Sequence, residues 1–224
     1  MWRFIIPNSL STGNLLMGLI AIHFSLQGEP FPASMAIIAG MVFDALDGAA
    51  ARALGVSSDF GKELDALADV VTFGVAPAFL LLMQLSGNET HWVCAVPLLI
   101  FPICGALRLA RFNSQKSSSA RGFTGMPITA AGGILAVTAV YWQRFGVNAV
   151  LIITLLLALM MVSRLPYPDG KYIMQRILQS KNWSIIAVCS AGLIIYSWGD
   201  WILIPLFGYA CSGIIVWISE RNGQ

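Results

Sequence analysis

Apolar runs of membrane-crossing length, separated by short polar breaks, dominate the chain. A membrane helix needs about 20 mostly apolar residues. Eight stretches approach that length: 11–27, 31–54, 63–85, 91–113, 126–142, 148–163, 183–196 and 201–220. Only "SWGD", residues 197–200, divides the last two, which read as a tight helical hairpin or a poorly divided pair. Tyr and Trp stand at many of these ends, where amphipathic rings favour the membrane interface. The pattern predicts an all-α, polytopic transmembrane bundle of about eight spans, forming one domain over residues 1–224. The first apolar run lacks a small-residue cleavage site after it, so it reads as the first span and not as a signal peptide.

Composition agrees. The chain has 224 residues, 57% of them hydrophobic and 11% charged, with a mean hydropathy of +0.76. A soluble domain carries about 25% charged residues, so this is an integral membrane protein with no room for a separate soluble enzyme. Cys94, Cys104, Cys189 and Cys211 lie far apart in apolar runs without metal-ligand spacing, and read as packing residues. His23 and His91 are isolated and read as non-catalytic. No nucleic-acid partner is expected.

Charge then sets orientation. With eight spans both termini share a side. That side receives Arg3, Arg52, Lys62, Arg108, Arg111, Lys116, Arg121, Arg164, Lys171, Arg176, Lys181 and Arg221, leaving only Arg144 opposite. Cytoplasmic loops carry the excess of Lys and Arg, so both termini are expected in the cytosol. The basic segment 164–182 reads either as an interfacial helix on anionic lipid or as a plain cytosolic loop.

One stretch breaks the apolar pattern. "FDALDGAAARALGVSSDFGKELDALADVV", residues 43–71, holds Asp44, Asp47, Asp65 and Asp69. Spacings of i, i+3 and i, i+4 put each pair on one helix face. The link between the two helices is short, so the faces can meet at the cytosolic end of spans two and three. Four ionised carboxylates there would repel strongly. They must be protonated, be paired with cations, or bind metal. Arg52 alone cannot neutralise four acids, whereas two divalent ions could, and oxygen-only ligands favour Mg²⁺ or Mn²⁺. Gly48, Ala49, Ala50 and Ala51 make a smooth helix face that a bulky ligand can approach. Arg52 can meet a phosphate as a fork, and Ser58 can add a hydroxyl. A solvated helix end and a cation or proton pathway of a transporter are the competing readings.

The spaced run Asp44-x2-Asp47-Gly48-x2-Ala51-Arg52-x8-Gly61-x3-Asp65-x3-Asp69 resembles the signature of the CDP-alcohol phosphatidyltransferase family. The resemblance covers the first six spans, the family's core, and leaves two C-terminal spans outside it. Within the family, "IPNSLSTGNLLMG" (6–18), "DVVTFGVAPA" (69–78), "RLARFN" (108–113) and "GFTGMPITAAGG" (122–133) are similar to the membrane-bound phosphatidylserine synthase branch; Thr129 is a mild departure.

That resemblance implies a phosphatidyl transfer from CDP-diacylglycerol to L-serine, releasing CMP. It implies two divalent cations held by Asp44, Asp47 and Asp65, with Asp69 as a further ligand and the catalytic proton acceptor. Gly48, Arg52 and Ser58 would bind the CDP-lipid, joined by Asn8, Ser11, Thr12 and Asn14. Serine's carboxylate needs a cation: Arg108 and Arg111 are the candidates, with Arg121 and Asn113 nearby, and Arg111 and Asn113 are preferred. Another acceptor, such as inositol phosphate or glycerol phosphate, and an ether-lipid donor are the alternatives. A homodimer in a prokaryotic plasma membrane, with its site facing the cytoplasm, is the expected setting.

Overall fold

The computed structural model describes residues 2–56, 58–86, 95–114 and 123–167. The described chain is helical apart from one two-residue antiparallel ladder. It begins with α1 (Trp2–Leu26) and α2 (Pro30–Leu54). A third long helix follows, made of α3 (Asp59–Asp69), a π-helical turn (Val70–Val75) and α4 (Ala76–Leu85). Then come α5 (Ala95–Ser114), β1 (Phe123–Thr124), α6 (Ile128–Val140), the short α7 (Trp142–Phe145), α8 (Val147–Val162) and β2 (Pro166–Tyr167). β1 pairs with β2, Phe123 opposite Tyr167.

Among the described residues, four helices are long and apolar enough to cross a membrane: Phe4–Leu26, Pro30–Leu54, Asp59–Leu85 and Ala95–Ser114. Ile128–Val140 and Val147–Val162 are apolar but shorter. They occupy the places of the fifth and sixth expected spans, while the seventh and eighth lie outside the described residues. Leu16, Leu19, Val42, Leu99, Ile103, Leu107, Leu156 and Leu159 all stay exposed on the outer surface, as lipid-facing side chains should where the hydrocarbon is the solvent.

The first helix starts well before the expected boundary at residue 11. The polar run "PNSLST" reads as a break by hydropathy, yet it is helical. Thr12 Oγ1 donates to the Asn8 carbonyl one turn back, at 2.8 Å. Ser11 Oγ lies 3.2 Å from the Pro7 carbonyl. Such back-bonding lets hydroxyl side chains sit in a helix.

Local chemistry also fixes the acidic hairpin. Gly55 ends α2 with a positive φ of 61°. Its N–H bonds Arg52 O and the next N–H, of Val56, bonds Ala51 O, the Schellman arrangement that glycine makes easy. Ser58 opens α3: its Oγ accepts the Gly61 N–H at 3.0 Å, as a helix N-cap should. The reversal therefore takes only residues 55–58.

Interhelical contacts give the register. Along α1, Ser11 meets Asp47, while Gly13 faces Phe43 and Gly18 faces Thr72. Asn14 meets Asp69. So α1 runs antiparallel to α2 and parallel to α3. A Cβ on Gly18 would come within 2.6 Å of Thr72 Oγ1, and one on Gly40 within 2.6 Å of Thr72 Cγ2. The π-helical turn is thus clasped between α1 and α2, with α5 and α6 packed on its other sides. Phe73, Phe101, Ile37, Leu80, Leu81, Ile134, Leu135 and Met161 are fully buried around it. A single apolar cluster runs from Ala21 to Met161.

Close approach makes a test. A Cβ on Gly132 would overlap the carbonyl oxygen of Phe73, which is backbone and cannot swing aside. Gly132→Ala should destabilise the protein by about 1–3 kcal/mol, read as a lower unfolding temperature in detergent. Gly133→Ala should change it far less, because there the Cβ meets the flexible end of Met41, Sδ at 3.2 Å and Cε at 3.4 Å.

Candidate active site

The short reversal brings the two acidic faces together. Asp44 and Asp47 come from α2 and Asp65 from α3. Each offers one carboxylate oxygen, and the three oxygens lie within 4.8 Å of one another. Asp47 is 5% exposed, and Ser11 donates its hydroxyl to Asp47 Oδ2 at 2.7 Å. Asp65 Oδ1 is buried and has no hydrogen-bond partner among the described residues. A buried carboxylate oxygen left without a donor is costly, and a bound cation would satisfy it. The donor set is all oxygen, which suits Mg²⁺ or Mn²⁺ better than zinc. The residues present therefore fit a divalent cation.

Asp69 stands outside that triad. It lies one turn beyond Asp65, at the junction with the π-helical turn, and is 7% exposed. Asn14 Nδ2 donates to Asp69 Oδ1 at 3.1 Å. The four acids so divide into a group of three and a separately held fourth.

Beside the triad opens a cleft of about 640 Å³, within the range of small-ligand sites. Asn8, Ser11, Asp47, Gly48, Arg52, Ser58 and Asp65 line it, all expected from sequence, together with Phe4, Pro7, Ala51, Gly55, Val56, Gly61 and Lys62. Arg52 lies back along its own helix: Nη1 is 3.3 Å from where a Gly48 Cβ would stand. Glycine there leaves room for the guanidinium at the cleft wall. The cleft thus joins two cationic side chains to two carboxylates, an arrangement able to hold a phosphorylated ligand and its metal. Phe4, Pro7, Gly55, Val56 and Lys62 are not expected there from the sequence. Lys62 follows the motif's Gly61 directly, a clue in hindsight, while the first ten residues read as preceding the span.

Residues 4–163 match the family model for CDP-alcohol phosphatidyltransferase. The chain belongs to the CDP-alcohol phosphatidyltransferase family. A Bacillus subtilis (strain 168) relative is 38% identical over 181 residues, 80% of this chain and 98% of its own. A Methanocaldococcus jannaschii relative is 37% identical over 208 residues, 92% of this chain and 90% of its own. A Helicobacter pylori (strain ATCC 700392 / 26695) relative is 33% identical over 175 residues, 75% of this chain and 73% of its own. Each of the three is named CDP-diacylglycerol–serine O-phosphatidyltransferase.

Not every expected contact of this phosphatidyltransferase gathers at the cleft. Thr12 is exposed and its hydroxyl is used on Asn8. Asn14 is 0% exposed and turned to Asp69. Neither lines the cleft. Arg108 is 8% exposed, with its guanidinium carbon 5.9 Å from the Phe112 ring centre. Asn113 is exposed, and Arg121 lies outside the described residues. Arg111 donates from Nη1 to Val162 O at 3.0 Å and from Nη2 to Ser163 O at 3.2 Å. It therefore caps the C-terminus of α8, where helix carbonyls lack partners, and ties α8 to α5.

Removing that clamp should be measurable without any substrate. Arg111→Ala should cost about 1–2 kcal/mol, since hydrogen bonds from charged groups are among the stronger ones. Arg111→Lys, which keeps the charge but not the fork, should fall between the two. Unfolding temperature in detergent checks this; an unchanged value for Arg111→Ala would strip the clamp of its stabilising role.

Proposed function

We propose that this chain transfers a phosphatidyl group from CDP-diacylglycerol to the hydroxyl of L-serine, giving phosphatidylserine and CMP. The observation that carries the reading is the carboxylate triad beside a cleft that Asp47 and Asp65 line together with Arg52 and Lys62. The names of the bacterial and archaeal relatives support serine as the acceptor.

Asp44, Asp47 and Asp65 would hold the divalent cations, Mg²⁺ or Mn²⁺. When bound, these supply positive charge to the pyrophosphate and polarise the phosphorus under attack. Arg52 forks onto a phosphate, with Gly48 leaving the guanidinium its room. Asn8, Ser11 and Ser58 offer hydrogen-bonding groups to the ligand, and Ser11 also steadies Asp47. Asp69 takes the proton from the serine hydroxyl, a weak nucleophile without a base. The serine oxygen forms its bond to the lipid-side phosphorus as the bond to CMP breaks. The serine carboxylate is assigned to the basic end of α5, to Arg111 with Asn113 or to Arg108; Arg111 also bonds the end of α8 through its two terminal nitrogens.

Purified protein given CDP-diacylglycerol should release CMP with L-serine and Mg²⁺ or Mn²⁺, and stop on EDTA addition. Faster release with inositol phosphate or glycerol phosphate would move the acceptor, and full activity in metal-free buffer would sink the metal role.

The topology is part of the same proposal: eight spans over one domain, both termini and the cleft cytosolic, in the plasma membrane. Support comes from the charge pattern of the sequence: eight spans would put every Lys and Arg but Arg144 on one side. Alkaline phosphatase fused after Gln224 should be inactive, and active when inserted beside Arg144. The reverse pattern would invert the orientation.

A further inference from the structure

Asn14 sits where α1 crosses the junction of α3 and the π-helical turn. It is 0% exposed, so a nucleotide cannot reach it in this arrangement. Its main chain is held, because Thr72 Oγ1 donates to the Asn14 carbonyl at 2.8 Å. Its side chain is held as well, because Nδ2 donates to Asp69 Oδ1 at 3.1 Å. The NH₂ end of the amide is the end that faces the carboxylate, donating to an oxygen that accepts. The other end, Asn14 Oδ1, is then buried without a hydrogen-bond partner among the described residues. It faces Gly40, 3.0 Å from where a Cβ would stand. A side chain needed only for packing would not strand a carbonyl there; an apolar residue would fill the space at no such cost.

Ser11 and Asn14 are i, i+3 on α1. Ser11 addresses an acid of the triad, and Asn14 addresses the acid outside it. One helix face so holds both groups of carboxylates in register.

We infer that Asn14 is a positioning residue for the transfer reaction: its amide occupies Asp69 Oδ1, leaving Oδ2 as the oxygen that receives the acceptor's proton. This rests on the proposed role of Asp69 as the base. Asn14 touches neither the lipid nor the alcohol; it acts by setting the rotation of the carboxylate.

The test separates positioning from nucleotide binding and from packing. Asn14→Ala and Asn14→Leu both remove the donor, and Leu keeps the branching and fills the buried space should Ala fail to fold. Each is purified and checked for a thermal shift with CDP, then assayed for CMP release. We expect kcat to fall about 10–100-fold, the scale of a misplaced catalytic group. KM for the CDP-lipid should stay within about twofold and the CDP thermal shift should be kept, as for a residue that contacts no ligand. A raised KM with a lost CDP shift and normal kcat would make Asn14 a nucleotide contact and overturn the inference. Unchanged kcat and KM would make it packing only. Asp69→Asn is assayed alongside. If it turns over normally, the base assignment itself falls; if it is inactive while the Asn14 variants keep wild-type kcat, only the inference falls.

Discussion

How closely α1 and α2 can approach Thr72 decides the rest of the bundle. Both helices present a glycine to this one residue, Gly18 and Gly40, and neither leaves room for a methyl group. The gain is partly dispersion, summed over many contacts, but mainly geometric. At this spacing the Thr72 hydroxyl can reach the Asn14 carbonyl, which sets the height of α1 against α3. The height of α1 then decides which acid Ser11 meets and which Asn14 meets. A wider crossing would leave the same residues present and the pairings lost.

The crossing also makes the acidic cluster tolerable. Three carboxylate oxygens within 4.8 Å of one another, at the end of apolar helices, would be expelled by an ordinary core. Here the surrounding groups divide the problem. Ser11 serves Asp47, Asn14 serves Asp69, and Asp65 Oδ1 has no hydrogen-bond partner among the described residues. Arg52 sits at the cleft wall rather than among the acids, so it can meet an incoming anion.

Much of this was legible in sequence. The apolar runs marked the helices, and the spacing of Asp44, Asp47, Asp65 and Asp69 marked two faces that could meet, because both signals are local and periodic. The start of α1 was not legible, since hydropathy treats "PNSLST" as polar while its hydroxyls fold back onto the helix. Nor was the π-helical turn, because nothing in "VVTFGV" departs from an apolar α-helix pattern. The pairs Ser11–Asp47 and Asn14–Asp69 depend on the register between separate helices, which no periodicity encodes. Arg111 reads as a ligand-binding cation, and residue type alone does not reveal that it also bonds the end of α8.

The cleft draws its walls from residues Phe4 to Asp65, in α1, α2, α3 and the turn that joins α2 to α3. Chains emerge and insert from the N-terminus. The cleft can therefore be laid down while the ribosome is still translating the rest. Its carboxylates would enter the bilayer early, before α5, α6 and α8 exist to pack behind the π-helical turn. In this view the later helices arrive as a brace, and α5 brings with it Arg108 and Arg111.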